Sequence, residues 1–68
     1  METPDKETQT AIITQALKSI EAECFSLTLS GEAMKTIGLV EKATEIGEQL
    51  AKSMQLHAFY SAKLAELT

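Results

Sequence analysis

Between Leu39 and Leu67, side chains able to sit in a core recur four and three positions apart without a break: Leu39, Ala43, Ile46, Leu50, Ser53, His57, Tyr60, Leu64 and Leu67. An α-helix turns once in about 3.6 residues, so this spacing aligns all of them along one edge. Sustained over four heptads, the pattern specifies a long helix with one buried seam. A 68-residue chain has little room for anything else.

A second, shorter stripe precedes it. Ile13, Leu17, Ile20, Cys24 and Leu27 repeat the 3-4 spacing, and no Gly or Pro interrupts from Asp5 to Ser30. Thr3-Pro4-Asp5 supplies a capping hydroxyl, a proline suited to the first helical position and an acid in the first turn. The pattern predicts a helix over about 4–27. Thr28-Leu29-Ser30-Gly31 then reads as the turn, with Ser30 capping a second helix over about 31–67. Alternation over Cys24 to Ser30 is the signature of a short strand, but a strand with no partner in the chain is unstable. Gly38 and Gly47 fall inside the second helix. Ala43, Gly47 and Ala51, four apart, form a small-residue ridge for close helix approach. Gly38 has no such role, so a break or C-cap near Gly38, splitting off a short helix over 32–37, is the alternative.

The fold class is therefore all-α: a single small helical domain, 1–68, built as a two-helix antiparallel hairpin. At about 1.5 Å per residue, helices over 4–27 and 31–67 differ in length by more than two turns. The C-terminal part of the longer one, with His57, Phe59, Tyr60, Leu64 and Leu67, would project beyond its cover. Burying a large apolar side chain contributes about 1.5–3 kcal/mol, so the pattern predicts a homodimer closing into a four-helix bundle. Leu50, Met54, His57, Phe59, Tyr60, Leu64 and Leu67 are the expected interface residues. Phe59, with Leu56 and Ala62, marks a second apolar face for another protein, or else widens the buried stripe.

Composition narrows the function classes. Six lysines, no arginine and ten acids give a net charge of −4, and the lysines are scattered among glutamates, which disfavours nucleic acid and anionic membrane as partners. No apolar run approaches the roughly 20 residues of a membrane span, and the polar, acidic start does not read as a signal peptide. Cys24 is the only cysteine, which excludes an internal disulfide and fits a reducing, cytoplasmic setting.

No catalytic or cofactor motif emerges. Cys24 sits at a core position beside Glu21 and Glu23, and acids do not activate a thiol. Glu41, Glu45 and Glu48 share a helix face interleaved with Lys42 and Lys52, the pattern of a solvated surface. One His and one Cys fall short of a zinc set, and Met54 occupies the position where a Glu-x-x-His bundle motif needs its acid. His57 lies on the seam and has two readings: an imidazole hydrogen-bonded in the core, or a pH-sensitive contact whose protonation weakens association near about pH 6. The expectation is a small non-catalytic helical module, with no cofactor or metal, acting by homodimerisation and protein–protein contacts. The alternative is a nucleic-acid-associated regulator built as a hairpin dimer that gathers Lys18, Lys35 and Lys42 onto one face. An enzyme using Ser53, His57 and Tyr60 in a bundle pocket is the remote third.

Overall fold

The computed structural model describes residues 3–68 as two helices, α1 over Lys6–Thr36 and α2 over Val40–Leu67, packed against each other as a hairpin. The first two residues of the expected domain lie outside the described residues. There is no strand among the described residues, so Cys24 to Ser30 is helical throughout.

The cap of α1 falls two residues later than Thr3. Asp5 is extended (ψ 170°), and its carboxylate accepts the Thr8 backbone N–H at 2.8 Å, satisfying one of the free donors of the first turn. Pro4 stands just outside the helix, where its carbonyl accepts a bond from the Gln9 side-chain amide.

The chain reverses at Ile37-Gly38-Leu39, not at Thr28–Gly31. Ser30 and Gly31, expected to cap and open the second helix, lie inside α1. Gly38 takes φ +84°, the left-handed region where a Cβ is unfavourable. That conformation lets the Leu39 N–H reach the Met34 carbonyl at 2.8 Å and the Gly38 N–H reach Lys35 at 3.1 Å. Both are the bonds of a Schellman end, which satisfies carbonyls that would otherwise be orphaned. The glycine with no packing role is thus the left-handed residue just past the Ile37 cap, and the segment before it continues α1 without forming a separate short helix.

Moving the reversal makes the arms nearly equal. Helices of 31 and 28 residues span roughly 46 and 42 Å, so α1 covers α2 to its end. The predicted C-terminal overhang does not exist. Its cause was the misplaced turn, and the length mismatch that argued for a partner disappears with it.

Two contacts fix the register. A Cβ on Gly31 would lie 3.6 Å from Ile46, and Glu21 bonds His57. The same antiparallel alignment sets Met34 opposite Ala43, Leu27 opposite Leu50, Cys24 opposite Ser53, Leu17 opposite Tyr60 and Ile13 opposite Leu64. Both 3-4 stripes therefore meet along their whole length, and the first continues past Leu27 through Gly31 to Met34. The core is thin. Among the described residues only Ile20, Ala43 and Ser53 are buried, and no large side chain is fully enclosed. The other seam residues from Ile46 to Leu67 are half-buried, while Leu39 is in the turn and exposed. The ridge of small residues divides: Ala43 faces α1, whereas Gly47 and Ala51 have rotated out to solvent.

Two outcomes follow for the helix ends. Gly38→Ala should destabilise the hairpin by about 1–2 kcal/mol in a denaturant titration, and the whole effect is backbone strain because an added Cβ meets nothing within 4 Å. The bond from the Thr8 backbone N–H, with a smaller side-chain contribution from Thr8, holds the Asp5 carboxyl below its ordinary 3.8. A depressed carboxyl contributes stability that is complete above the unfolded value and is lost as pH falls through the lower folded value. Wild type should therefore lose more stability than Asp5→Asn on acidification below 3.8, with no divergence between the two above pH ~5.

Candidate functional site

The only long-range polar link between the two helices among the described residues centres on His57. Its Nε2 lies 2.9 Å from a Glu21 carboxylate oxygen, and Ser61 Oγ lies 3.4 Å from Nδ1. A carboxylate can only accept, so Nε2–H donates to Glu21, and the Ser61 hydroxyl meets the other ring nitrogen. Sequence spacing alone missed Glu21. A turn at 28–31 leaves His57 beyond the end of helix one, whereas the turn at Gly38 sets it one residue from direct opposition to Glu21. The imidazole is 37% exposed and has an acid of the same chain as its polar partner, so it is neither fully enclosed nor unpartnered on the seam.

The other expected interface residues separate into two groups. Leu50, His57, Tyr60, Leu64 and Leu67 are half-buried and point at α1 of the same chain. Met54 and Phe59 are exposed. The Phe59 ring meets Tyr60 edge-on, centroids 5.6 Å apart and planes at 84°, and the Lys63 ammonium lies 5.6 Å from its face. Lys63 also pairs with Glu66 at 3.5 Å. Phe59 is therefore partly covered by its own helix, while Phe25 on α1, which bundle burial would have hidden, is 66% exposed.

A hairpin has two open flanks, and here they differ. Thr28, Glu32 and Lys35 of α1 and Gly47 of α2 line one side of a groove of ≈ 210 Å³ whose floor is Leu27, Gly31, Ile46 and Leu50. The Glu21–His57–Ser61 chain lies on that same flank, and Phe25 falls on it by helical spacing, four residues after Glu21 and three before Thr28. Across from these, α2 presents Gly47, Ala51, Met54, Ala58 and Ser61, all uncharged. The opposite flank carries Ile12, Ser19, Ser26 and Ala33 on α1, and Leu56 and Phe59 among Lys42, Glu45, Lys52, Lys63 and Glu66 on α2. Glu41 and Glu48 are on the outer side of α2, exposed.

Among the described residues, no three His, Cys, Asp or Glu side chains gather to hold a metal ion. Cys24 is half-buried on the seam opposite Ser53. No helix is long and apolar enough to cross a membrane. No protein family, curated protein or solved structure matches the chain.

The inter-helix link is measurable by a double-mutant cycle on stability with Glu21→Ala and His57→Ala, which cancels the packing lost at each site. A coupling of about 0.2–1 kcal/mol is expected for a half-exposed pair. Strict additivity would mean that the two side chains do not meet in solution.

Proposed function

We propose that this chain is a small, non-catalytic helical interaction module that acts by homodimerisation and by protein–protein contacts. The observation that carries the reading is the imbalance of burial. Among the described residues only Ile20, Ala43 and Ser53 are buried, while Ile12, Phe25, Leu29, Ile37, Leu39, Val40, Met54, Leu56 and Phe59 are 44–66% exposed. Each large apolar side chain contributes roughly 1.5–3 kcal/mol when covered. Chains of this size have cores worth only a few kcal/mol. Covering even three of the nine against another surface would therefore match the core of the hairpin itself.

The argument no longer rests on unequal helices. It rests on geometry: a pair of helices can close one seam, and each helix keeps more than half its circumference in water. A four-helix bundle formed from two copies is the arrangement that offers a second seam to every helix. A cytoplasmic setting belongs to the same reading, with a single half-buried thiol and no disulfide. Nothing in the lysine placement favours the nucleic-acid alternative. Lys42, Lys52 and Lys63 share one flank of α2 with Glu45 and Glu66, and Lys18 and Lys35 share the other flank of α1 with Glu21 and Glu32.

Self-association is tested by sedimentation and by thermal unfolding across protein concentration. A dimer that is stable only when assembled shows a mass near twice that of the chain and an unfolding midpoint that rises with concentration. A monomer with both helices intact and a concentration-independent midpoint would overturn the proposal.

A further inference from the structure

We infer that two copies meet on the flank that carries Phe25 and the uncharged side of α2, about a two-fold axis passing between Ala51 and Met54; this inference rests on the self-association reading above. The first ground is α2 itself. From Val40 through Thr44, Gly47, Ala51, Met54, Ala58 and Ser61 to Ala65, positions four and three apart, the flank of α2 holds no charge in a chain that is 24% charged. It forms a second seam beside the one facing α1. Gly47 lies in the middle of that flank. A Cβ there would meet nothing within 4 Å, so packing inside the hairpin gives no reason for a glycine that weakens the helix. Close approach of a second backbone does give one.

The second ground is symmetry. Antiparallel packing of this flank on its own copy about an axis between Ala51 and Met54 sets Ala51 against Met54, Gly47 against Ala58 and Val40 against Ala65 of the second copy. Small faces large or small at every step, and the pattern closes on itself as an isologous interface must. The register of the hairpin then carries the same axis to α1 between Cys24 and Phe25. There it places the two exposed Phe25 rings against each other and Lys18 beside Glu32 of the second copy, twice. The charge pairing on α1 is thus independent of the apolar pattern on α2, and one axis satisfies both. Sliding one heptad in one direction brings Glu21 against its own copy, a like-charge contact. Sliding in the other takes Phe25 off its mate and shortens the α2 overlap.

The opposite flank is the poorer candidate. Leu56 and Phe59 are exposed there, but α2 carries five charged residues along that flank and α1 adds Glu23, so both helices would desolvate charge, whereas on the favoured flank α2 contributes none.

Three variants decide it, each followed by sedimentation for association and circular dichroism for helix content. Gly47→Leu has room in the hairpin and a better helix former, so helicity should hold while the dimer dissociation constant rises about tenfold to a hundredfold. Lys18→Glu should weaken the dimer, and Lys18→Glu with Glu32→Lys should recover it. Leu56→Lys with Phe59→Lys, on the other flank, should leave it unchanged. Wild-type association of Gly47→Leu, or dissociation by the Leu56 and Phe59 pair, would place the dimer on the other flank and overturn the inference while the module reading stands. Failure of the charge swap to recover association would overturn the axis. A monomeric wild type would overturn both.

Discussion

The left-handed backbone at Gly38 is the constraint on which everything else in this hairpin depends. It ends α1 with a pair of reversed hydrogen bonds and starts α2 two residues later. The position of that reversal sets the register of every facing pair, since in an antiparallel hairpin each residue's partner is fixed by its distance from the turn. With the reversal at Gly38, small meets large nearest the turn, Ala43 against Met34 and Gly31 against Ile46; Ser53 then meets Cys24, and large side chains pair farther along, Leu17 with Tyr60 and Ile13 with Leu64. A reversal seven residues earlier keeps the heptad phase but moves every partner by two heptads. The same apolar stripes then still coincide, yet the helices differ in length and the C-terminal end of the longer one is bare.

That coincidence explains which parts of the structure the sequence disclosed. Both stripes were legible because a 3-4 repeat is a property of one helix and needs no partner. Their pairing was not, because shifting by whole heptads preserves it. Ser30-Gly31 resembles a cap and a turn, and it drew the boundary forward. The signal against that choice lay in phase: Leu27, Gly31 and Met34 continue the repeat of Ile13 to Leu27, which a real turn at Gly31 would have broken. Gly31 is small because Ile46 crosses it, not because the chain bends there. The Glu21–His57 link was hidden for the same reason, as it exists only in the register that Gly38 sets.

A two-helix protein also has an unusual division of its surface. One edge of each helix is spent on the other helix, and the two remaining flanks face water on both sides of a flat pair. Their chemistry here is asymmetric. One flank has an uncharged α2 beside an α1 that carries alternating Lys and Glu around Phe25. The other has a mostly small and polar α1 beside a strongly charged α2 on which Lys63 screens Phe59. A flank whose charges are confined to α1 and a flank whose apolar rings sit among charges on α2 differ in what they can bind tightly, because desolvating charge offsets the gain from burying rings.

In such a molecule stability and association are one quantity measured in two ways. Half-buried seam residues such as Leu50, Tyr60 and Leu64 support the hairpin, and anything that loosens the hairpin disperses the flank residues that a partner would touch. Truncating a seam residue therefore cannot distinguish a folding role from an interface role; both readings predict loss of the assembled state. Gly47 escapes this ambiguity. Replacing it improves the intrinsic helix preference, and an added Cβ meets nothing within 4 Å, so in the dimer proposed above the folded chain and the assembled chain would respond with opposite sign. Positions where helix propensity and surface packing pull apart are the ones that report on association alone, and in this chain they lie on the uncharged flank of α2.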